Sequence, residues 1–131
     1  MIIVLDASAA VEIDLNRPQS KRLSDSVLEA EWVIAPTIYI AETSNVMGKY
    51  HQHAGLPLKD CEQHLEQLMA LPDDFINEET LFREAFSLSC SLAHSVYDML
   101  YLVLARRNNA TILSMDKKLQ ALAAQIGVSC V

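Results

Sequence analysis

The apolar residues of this chain fall into short runs that alternate with stretches of helical periodicity. Four consecutive apolar residues, Ile2 to Leu5, are typical of a strand buried on both faces, as parallel strands covered by helices are. Similar runs predict further strands over residues 32–35, 75–76 and 111–114, with an edge strand over 128–130. Helices are predicted over residues 7–15, 18–31, 38–51, 58–71, 80–92, 94–105 and 117–126. This alternation favours βαβ units around a mainly parallel sheet.

The spacing of apolar residues within the helices predicts which side chains face the core. The helix over 18–31 is predicted to bury Leu23, Val27 and Leu28. For the helix over 80–92, the predicted inward residues are Leu81, Phe82, Ala85, Phe86, Leu88 and Ser89, and Cys90 is predicted to lie in the core.

The length, composition and charge limit the classes of protein to which this chain can belong. At 131 residues the chain is predicted to be one domain, residues 1–131. Its three cysteines are widely spaced, so reduced thiols are expected rather than a disulfide framework. The opening apolar run is too short for a signal peptide, and no apolar stretch approaches the ~20 residues of a membrane span, so a cytoplasmic protein without membrane contact is expected. The net charge of -7 argues against binding of nucleic acid by surface charge alone.

Four acidic residues stand where the predicted elements meet. Asp6 and Asp116 each follow a predicted strand. Glu42, which shares a helix face with Asn45, lies near the start of the helix that follows the second strand, and Asp98 opens the most apolar helix. Right-handed crossovers bring all four to one end of a parallel sheet, where such sheets place their ligands.

Each acid also has a purely structural interpretation, which the sequence leaves open. Asp6 and Asp116 can cap the helices that follow them, and Asp98 can form a capping box with Ser95. Glu42 can belong to a solvated polar face.

Four uncompensated carboxylates at one sheet edge repel one another unless cations enter. Mg²⁺ and Mn²⁺ prefer oxygen ligands and are commonly shared between protein carboxylates and substrate phosphates. The acids therefore predict a site for hard divalent cations.

These residues together resemble a known family. The matching segments are Ile3 to Ala9, Glu42 with Asn45, Ser95 to Ala105, and Ile112 to Leu119. In this order they resemble a PIN domain of the VapC toxin type, and the resemblance spans nearly the whole chain.

The resemblance implies a fold, an activity and a set of partners. The fold is a three-layer α/β/α structure with a parallel sheet, and the activity is Mg²⁺- or Mn²⁺-dependent endoribonuclease cleavage restrained by a cognate antitoxin. Pairing of two copies into a homodimer is expected as well. The catalytic and metal-binding residues are expected to be Asp6, Glu42, Asp98 and Asp116, with Ser8, Asn45 and Ser114 as supporting polar groups. Thr is commoner in the family where Ser114 stands.

Basic residues near two of the acids are candidates for contact with RNA phosphates. Arg106 and Arg107 end the helix that Asp98 opens, and Lys117 and Lys118 follow Asp116. A plain solvated basic patch is an equal alternative for these four residues.

Several rival functions fit the sequence less well. A haloacid-dehalogenase-like phosphatase wants an acid at position 8, where Ser8 stands, and a phospho-receiver module wants adjacent acids beside Asp6. A zinc site built from His51, His53, Cys61 and His64 matches no tight zinc spacing. The strongest rival is a binding-only module of the same fold, which keeps the acids for metal and partner contact without efficient cleavage.

Overall fold

A four-stranded, all-parallel sheet forms the centre of the computed structural model, which describes all 131 residues. Its strands are β1 (Ile2–Leu5), β2 (Trp32–Pro36), β3 (Asp74–Ile76) and β4 (Thr111–Leu113). They lie in the order β3-β2-β1-β4, with Val4 of β1 opposite Ile34 on one side and Ile112 on the other. The four principal strands predicted from the apolar runs are confirmed to within one residue at each end.

Seven α-helices cover the two faces of the sheet and complete a three-layer α/β/α fold. They are α1 (Ala7–Asp14), α2 (Ser20–Glu29), α3 (Ile38–Ala54), α4 (Leu58–Ala70), α5 (Phe82–Leu92), α6 (Val96–Asn108) and α7 (Lys117–Gln125). A short 3-10 helix, Glu78–Thr80, precedes α5. Gly55 ends α3 in the left-handed conformation at a φ of 71°, which glycine adopts without steric cost. The predicted fold class is confirmed.

Helix α6 is the central helix of the core. Every residue from Met99 to Ala105 is buried, and the helix packs across β1, β2 and β4. Such a helix is apolar on all sides because it has no solvent face over these two turns. Ser95 caps it by accepting a hydrogen bond from the Tyr97 backbone N–H at 3.2 Å. This cap fixes the backbone at the start of α6, the turn that carries Asp98.

Three predicted core positions are wrong because each lies on the outer side of its helix. Leu28 of α2 is 82% exposed, since it is five residues from the buried Leu23 and points well away from it. Phe82 and Phe86 are 48% and 64% exposed. Helix α5 packs on α6, with Ala85 buried in the helix and Leu81 buried just before it. The stripe that carries Phe82 and Phe86 lies on the exposed side of α5.

Two further predictions need correction. Cys90 is exposed on α5 rather than buried in the core. The edge strand predicted over 128–130 is reduced to one parallel bridge between Cys130 and Ile112. All three cysteines are free thiols, as expected.

No single helix is long and apolar enough to cross a membrane. Only α5 and α6 taken together reach that length and hydropathy, and the two helices are bent by 116° where they meet.

Candidate active site

The strand order places a crevice at the carboxyl ends of β1 and β4. The chain passes from β1 to β2 and β3 on one side and returns to β4 on the other side of β1, so the order reverses between β1 and β4. Open α/β sheets bind their ligands at this switch point. A cleft of about 450 Å³ lies here, and Asp6, Glu42, Asp98 and Asp116 all line it. We call it the acid cleft.

Asp6 is the most deeply buried of the four acids, with 6% of its surface exposed. Its backbone N–H donates to the carbonyl of Leu113 at 3.0 Å, which ties the end of β1 to the end of β4. Its Oδ2 accepts hydrogen bonds from the hydroxyls of Ser8 at 2.6 Å and Ser114 at 2.7 Å. The side chain makes no capping bond to α1, so a role as helix cap alone does not describe it.

The electrostatic surroundings of Asp6 favour its protonated form. Burial raises the pKa of the carboxyl group, while the hydroxyls of Ser8 and Ser114 oppose that rise. The negative charges of Asp98 and Asp116 raise the pKa of Asp6 further.

Ser8 and Ser114 connect Asp6 to the loop that carries Asp116. Ser8 Oγ accepts from the backbone N–H of Met115 at 2.9 Å, and Ser114 Oγ accepts from that of Asp116 at 3.0 Å. Each hydroxyl thus donates to the Asp6 carboxylate and accepts from the neighbouring backbone. These two serines, of the three predicted supporting residues, therefore hold Asp6 and the Asp116 backbone in a fixed relation.

Glu42 reaches the acid cleft from α3 and is half-buried. Its Oε1 accepts a hydrogen bond from the Tyr101 hydroxyl at 2.6 Å, so Glu42 is not part of a solvated face. Burial raises the pKa of Glu42 to about 7, and the charges of Asp6 and Asp98 act in the same direction, while Tyr101 opposes them. Asn45, predicted on the same helix face, also lines the cleft.

Tyr101 is fully buried in α6 and was not predicted as a site residue. Burial and the charges of Asp6 and Glu42 raise the pKa of its hydroxyl, so Tyr101 remains a hydrogen-bond donor at neutral pH. One signal was present in the sequence: a hydroxyl group stands one helical turn after Asp98 in a helix that is otherwise aliphatic there.

Asp98 enters the cleft from the first turn of α6. Its Oδ2 lies 2.6 Å from Nε2 of His94, whose side chain is only 10% exposed. The capping-box alternative is not observed, because Ser95 accepts from the Tyr97 backbone N–H while the Asp98 carboxylate contacts His94. His94 was also missed, since nothing in its spacing distinguishes it from a surface histidine.

Asp116 caps a helix and also faces the acid cleft. Its Oδ1 accepts from the backbone N–H groups of Lys118 at 2.9 Å and Leu119 at 3.3 Å, which makes it the cap of α7. The same residue lines the acid cleft.

The donor set of the acid cleft fits a hard cation. Each acid uses one oxygen for bonds within the protein and leaves the other without a hydrogen bond. No buried side-chain oxygen or nitrogen lacks a partner, so these four free oxygens are open to solvent. In the present arrangement, no three of the His, Cys, Asp and Glu side chains are grouped closely enough to hold an ion together.

The predicted basic residues lie outside the cleft. Arg106 and Arg107 are at the far end of α6, where both pair with Glu84 at 2.8 Å and 3.4 Å. Arg106 stands eight residues after Asp98, which is about 12 Å along the helix axis. Lys117 and Lys118 are exposed at the start of α7 beside Asp116, and their contact with RNA stays a prediction.

Two charged residues of the cleft were not anticipated. Glu12 lies in α1 and accepts a hydrogen bond from the Gln19 backbone N–H at 3.0 Å. Arg17 lies in the loop between α1 and α2, and it is the sole Lys or Arg that lines the acid cleft. No motif in the sequence points to either residue.

Comparison with known proteins gives one family and a set of similar folds. The sequence profile of the family described as PIN domain matches residues 3–125. The structure of PAE2754 from Pyrobaculum aerophilum is 16% identical, with a TM-score of 0.78 over 100% of this chain and 84% of that one. The FitAcB structure from Neisseria gonorrhoeae is 17% identical, with a TM-score of 0.64 over 98% and 95% of the two chains. At these identities the two structures show a shared fold. No curated protein matches the sequence.

Proposed function

Because this chain belongs to the PIN-domain family, whose members are generally nucleases, we propose that it is a metal-dependent endoribonuclease and the toxin of a type II toxin–antitoxin pair. The observation that carries this proposal is the convergence of four carboxylates on one cleft at the switch point of the sheet. They come from four separate elements or loops, so no local structural need explains their meeting.

The cation proposed for this site is Mg²⁺, for which Mn²⁺ substitutes. Asp6, Glu42, Asp98 and Asp116 would hold it through the oxygens that now face solvent. A bound ion of this kind makes a water nucleophilic at neutral pH and stabilises the departing oxygen of a phosphodiester.

The protein's own groups prepare the carboxylates for that task. Ser8 and Ser114 fix the Asp6 carboxylate and favour its charged form. Tyr101 and His94 hold one oxygen of Glu42 and of Asp98, so that the other oxygen of each keeps a defined direction. Glu42, whose pKa burial raises to about 7, would serve as a ligand only in its deprotonated form.

The proposed partners follow from the family and from the surface of the fold. The substrate is RNA, the inhibitor is a cognate antitoxin that occludes the acid cleft, and the chain forms a homodimer in the cytoplasm as a single domain. The exposed Phe82 and Phe86 of α5 support the homodimer, because large aromatic side chains that share a stripe are typical of interfaces.

Turnover of RNA by the purified chain tests the proposal. We expect cleavage in Mg²⁺, no cleavage in EDTA, and recovery when Mn²⁺ is added in excess of the chelator. Calorimetry should detect Mn²⁺ binding to the same preparation. Undiminished cleavage in EDTA would contradict the metal mechanism.

A binding-only module of the same fold is the second candidate. It would keep the acids for contact with a metal or a partner without efficient cleavage. If the chain binds Mn²⁺ in calorimetry but does not cleave RNA in the presence of that ion, the binding module replaces the nuclease.

A further inference from the structure

The loop between α1 and α2 places one arginine at the mouth of the acid cleft. We propose that Arg17, stacked over Tyr50, binds a phosphate of the RNA strand next to the one that is cleaved. This inference rests on the proposed function, because it assigns a substrate contact to the same site.

The backbone of Arg17 is firmly held. Its N–H donates to the carbonyl of Glu12 at 3.0 Å, and its carbonyl accepts from the N–H of Ser20 at 2.9 Å. Asn16 adopts the left-handed conformation at a φ of 52°, and its side chain accepts from the Ser20 hydroxyl at 3.0 Å. The loop therefore presents Arg17 from a fixed position.

The guanidinium of Arg17 has an aromatic partner and no acidic one. Its Cζ lies 5.6 Å from the centre of the Tyr50 ring on α3, within the range of a cation–π contact. It forms no ion pair, although five carboxylates line the same cleft, whereas Arg106 and Arg107 are paired with Glu84. The fork of donors on Arg17 is thus free to bind a ligand.

The negative charge of the acid cleft explains why RNA binding there needs a cationic side chain. The five carboxylates, those of Glu12 and the four proposed ligands, repel a polyanionic strand. A bound ion would neutralise the phosphate at the centre of the site, but the flanking phosphate would still face the same acids. A planar guanidinium suits that phosphate because it can donate two parallel hydrogen bonds.

The surface of α3 beyond Tyr50 also carries cationic and aromatic side chains. Lys49, Tyr50 and His53 line a shallow open groove of about 230 Å³ along α3. Cationic and aromatic side chains in succession are typical of sites that bind single-stranded nucleic acid. The strand is therefore expected to leave the acid cleft over Arg17 and along α3.

Binding of RNA without cleavage tests this assignment. The probe is a fluorescein-labelled single-stranded RNA oligonucleotide, measured by anisotropy over a series of KCl concentrations in an Asp98→Asn background with Mg²⁺. The variant is Arg17→Gln. Arg83→Gln is the matched control, since Arg83 also stacks on a ring, that of Phe82 at 5.3 Å, but lies away from the acid cleft.

We expect Arg17→Gln to raise the Kd for RNA roughly tenfold, as loss of a hydrogen bond between charged groups does. The slope of log affinity against log salt should fall by about 0.7, the value for one phosphate contact on a single strand. Arg83→Gln should change neither quantity. Arg17→Lys should keep most of the salt slope, because the charge remains, while losing affinity because the fork is gone.

Cleavage kinetics in the wild-type background add a second measurement: Arg17→Gln should raise KM and leave kcat nearly unchanged.

The proposal is overturned if Arg17→Gln and Arg83→Gln bind RNA equally, in which case Arg17 serves another ligand such as an acidic protein segment. Because affinity is measured without turnover, failure of the chain to cleave RNA would count against the nuclease and not against Arg17.

Discussion

Each carboxylate of the acid cleft has a hydrogen-bond donor on one of its two oxygens. For Asp6 the donors are two serine hydroxyls, for Glu42 the donor is Tyr101, and for Asp98 the contact is His94. A buried carboxylate without a donor is costly, so these contacts make the cluster tolerable in the folded chain. They do not fully offset the cost of burial, which is the main reason why the pKa values of Asp6 and Glu42 are both raised, and the neighbouring negative charges raise them further.

The raised pKa of Glu42 makes the stability of the metal-free chain depend on pH. Burial shifts this pKa from 4.5 to about 7, so the folded chain holds the proton more tightly than the unfolded chain. The resulting stabilisation is complete below about pH 4.5 and is lost as the pH rises through about 7. Glu42→Gln removes the titrating group and keeps an acceptor for Tyr101. In EDTA we expect its melting temperature to exceed that of the wild type above pH 7, with the difference shrinking toward pH 4.5.

Thermal melting of both proteins from pH 4.5 to 9 measures this effect. Glu66→Gln on the exposed side of α4 is a control that should follow the wild-type curve at every pH. Parallel curves for the wild type and Glu42→Gln would show that Glu42 is not destabilised in its charged form.

At the scale of elements, apolar patterning identifies strands and helices well. The run from Ile2 to Leu5 stands out because both of its faces are covered, and the acid that follows must then lie at the rim of the sheet. This is why Asp6 and Asp116 could be assigned to the same end of the sheet from the sequence: each follows a buried strand, and the two strands, β1 and β4, are parallel neighbours.

Patterning is weaker at showing which side of a helix is covered. Leu28, Phe82 and Phe86 are apolar, yet no helix or strand of this chain packs over them, and all three are exposed. The partners Tyr101, His94 and Arg17 were missed for a related reason. Their contacts depend on how helices and loops approach the cleft, which spacing along one element does not encode.

The exposed stripe of α5 leads to a prediction about assembly. If Phe82 and Phe86 form the interface between two copies, the wild type should sediment as a dimer at micromolar concentration and Phe86→Glu as a monomer, because the charge would be buried in the interface. Leu28→Glu is the matched control, since Leu28 is an exposed apolar residue on α2. A monomeric wild type, or a dimer that survives Phe86→Glu, would contradict this interface.

At the scale of the whole molecule, topology brings the site together. The reversal of strand order beside β1 opens the crevice, α3 and α6 add Glu42 and Asp98 from the helical layers, and the α1–α2 loop adds Arg17 at the mouth. The result is a strongly negative cleft whose lining includes one basic side chain, that of Arg17. Such a cleft attracts divalent cations and repels polyanions.

The most direct test of the proposed acid site is RNA cleavage by Asp98→Asn at limiting Mg²⁺. The substitution removes a charge but keeps an acceptor for His94 and leaves the Ser95 cap intact, so the melting temperature should change little. We expect the cleavage rate to fall by roughly a hundredfold or more, beyond the loss usual for residues that only support metal ligands. Asp25→Asn, which alters an exposed ion pair with Lys21 on α2, should cleave like the wild type. Normal cleavage by Asp98→Asn would contradict the assignment of the four acids as the catalytic metal site.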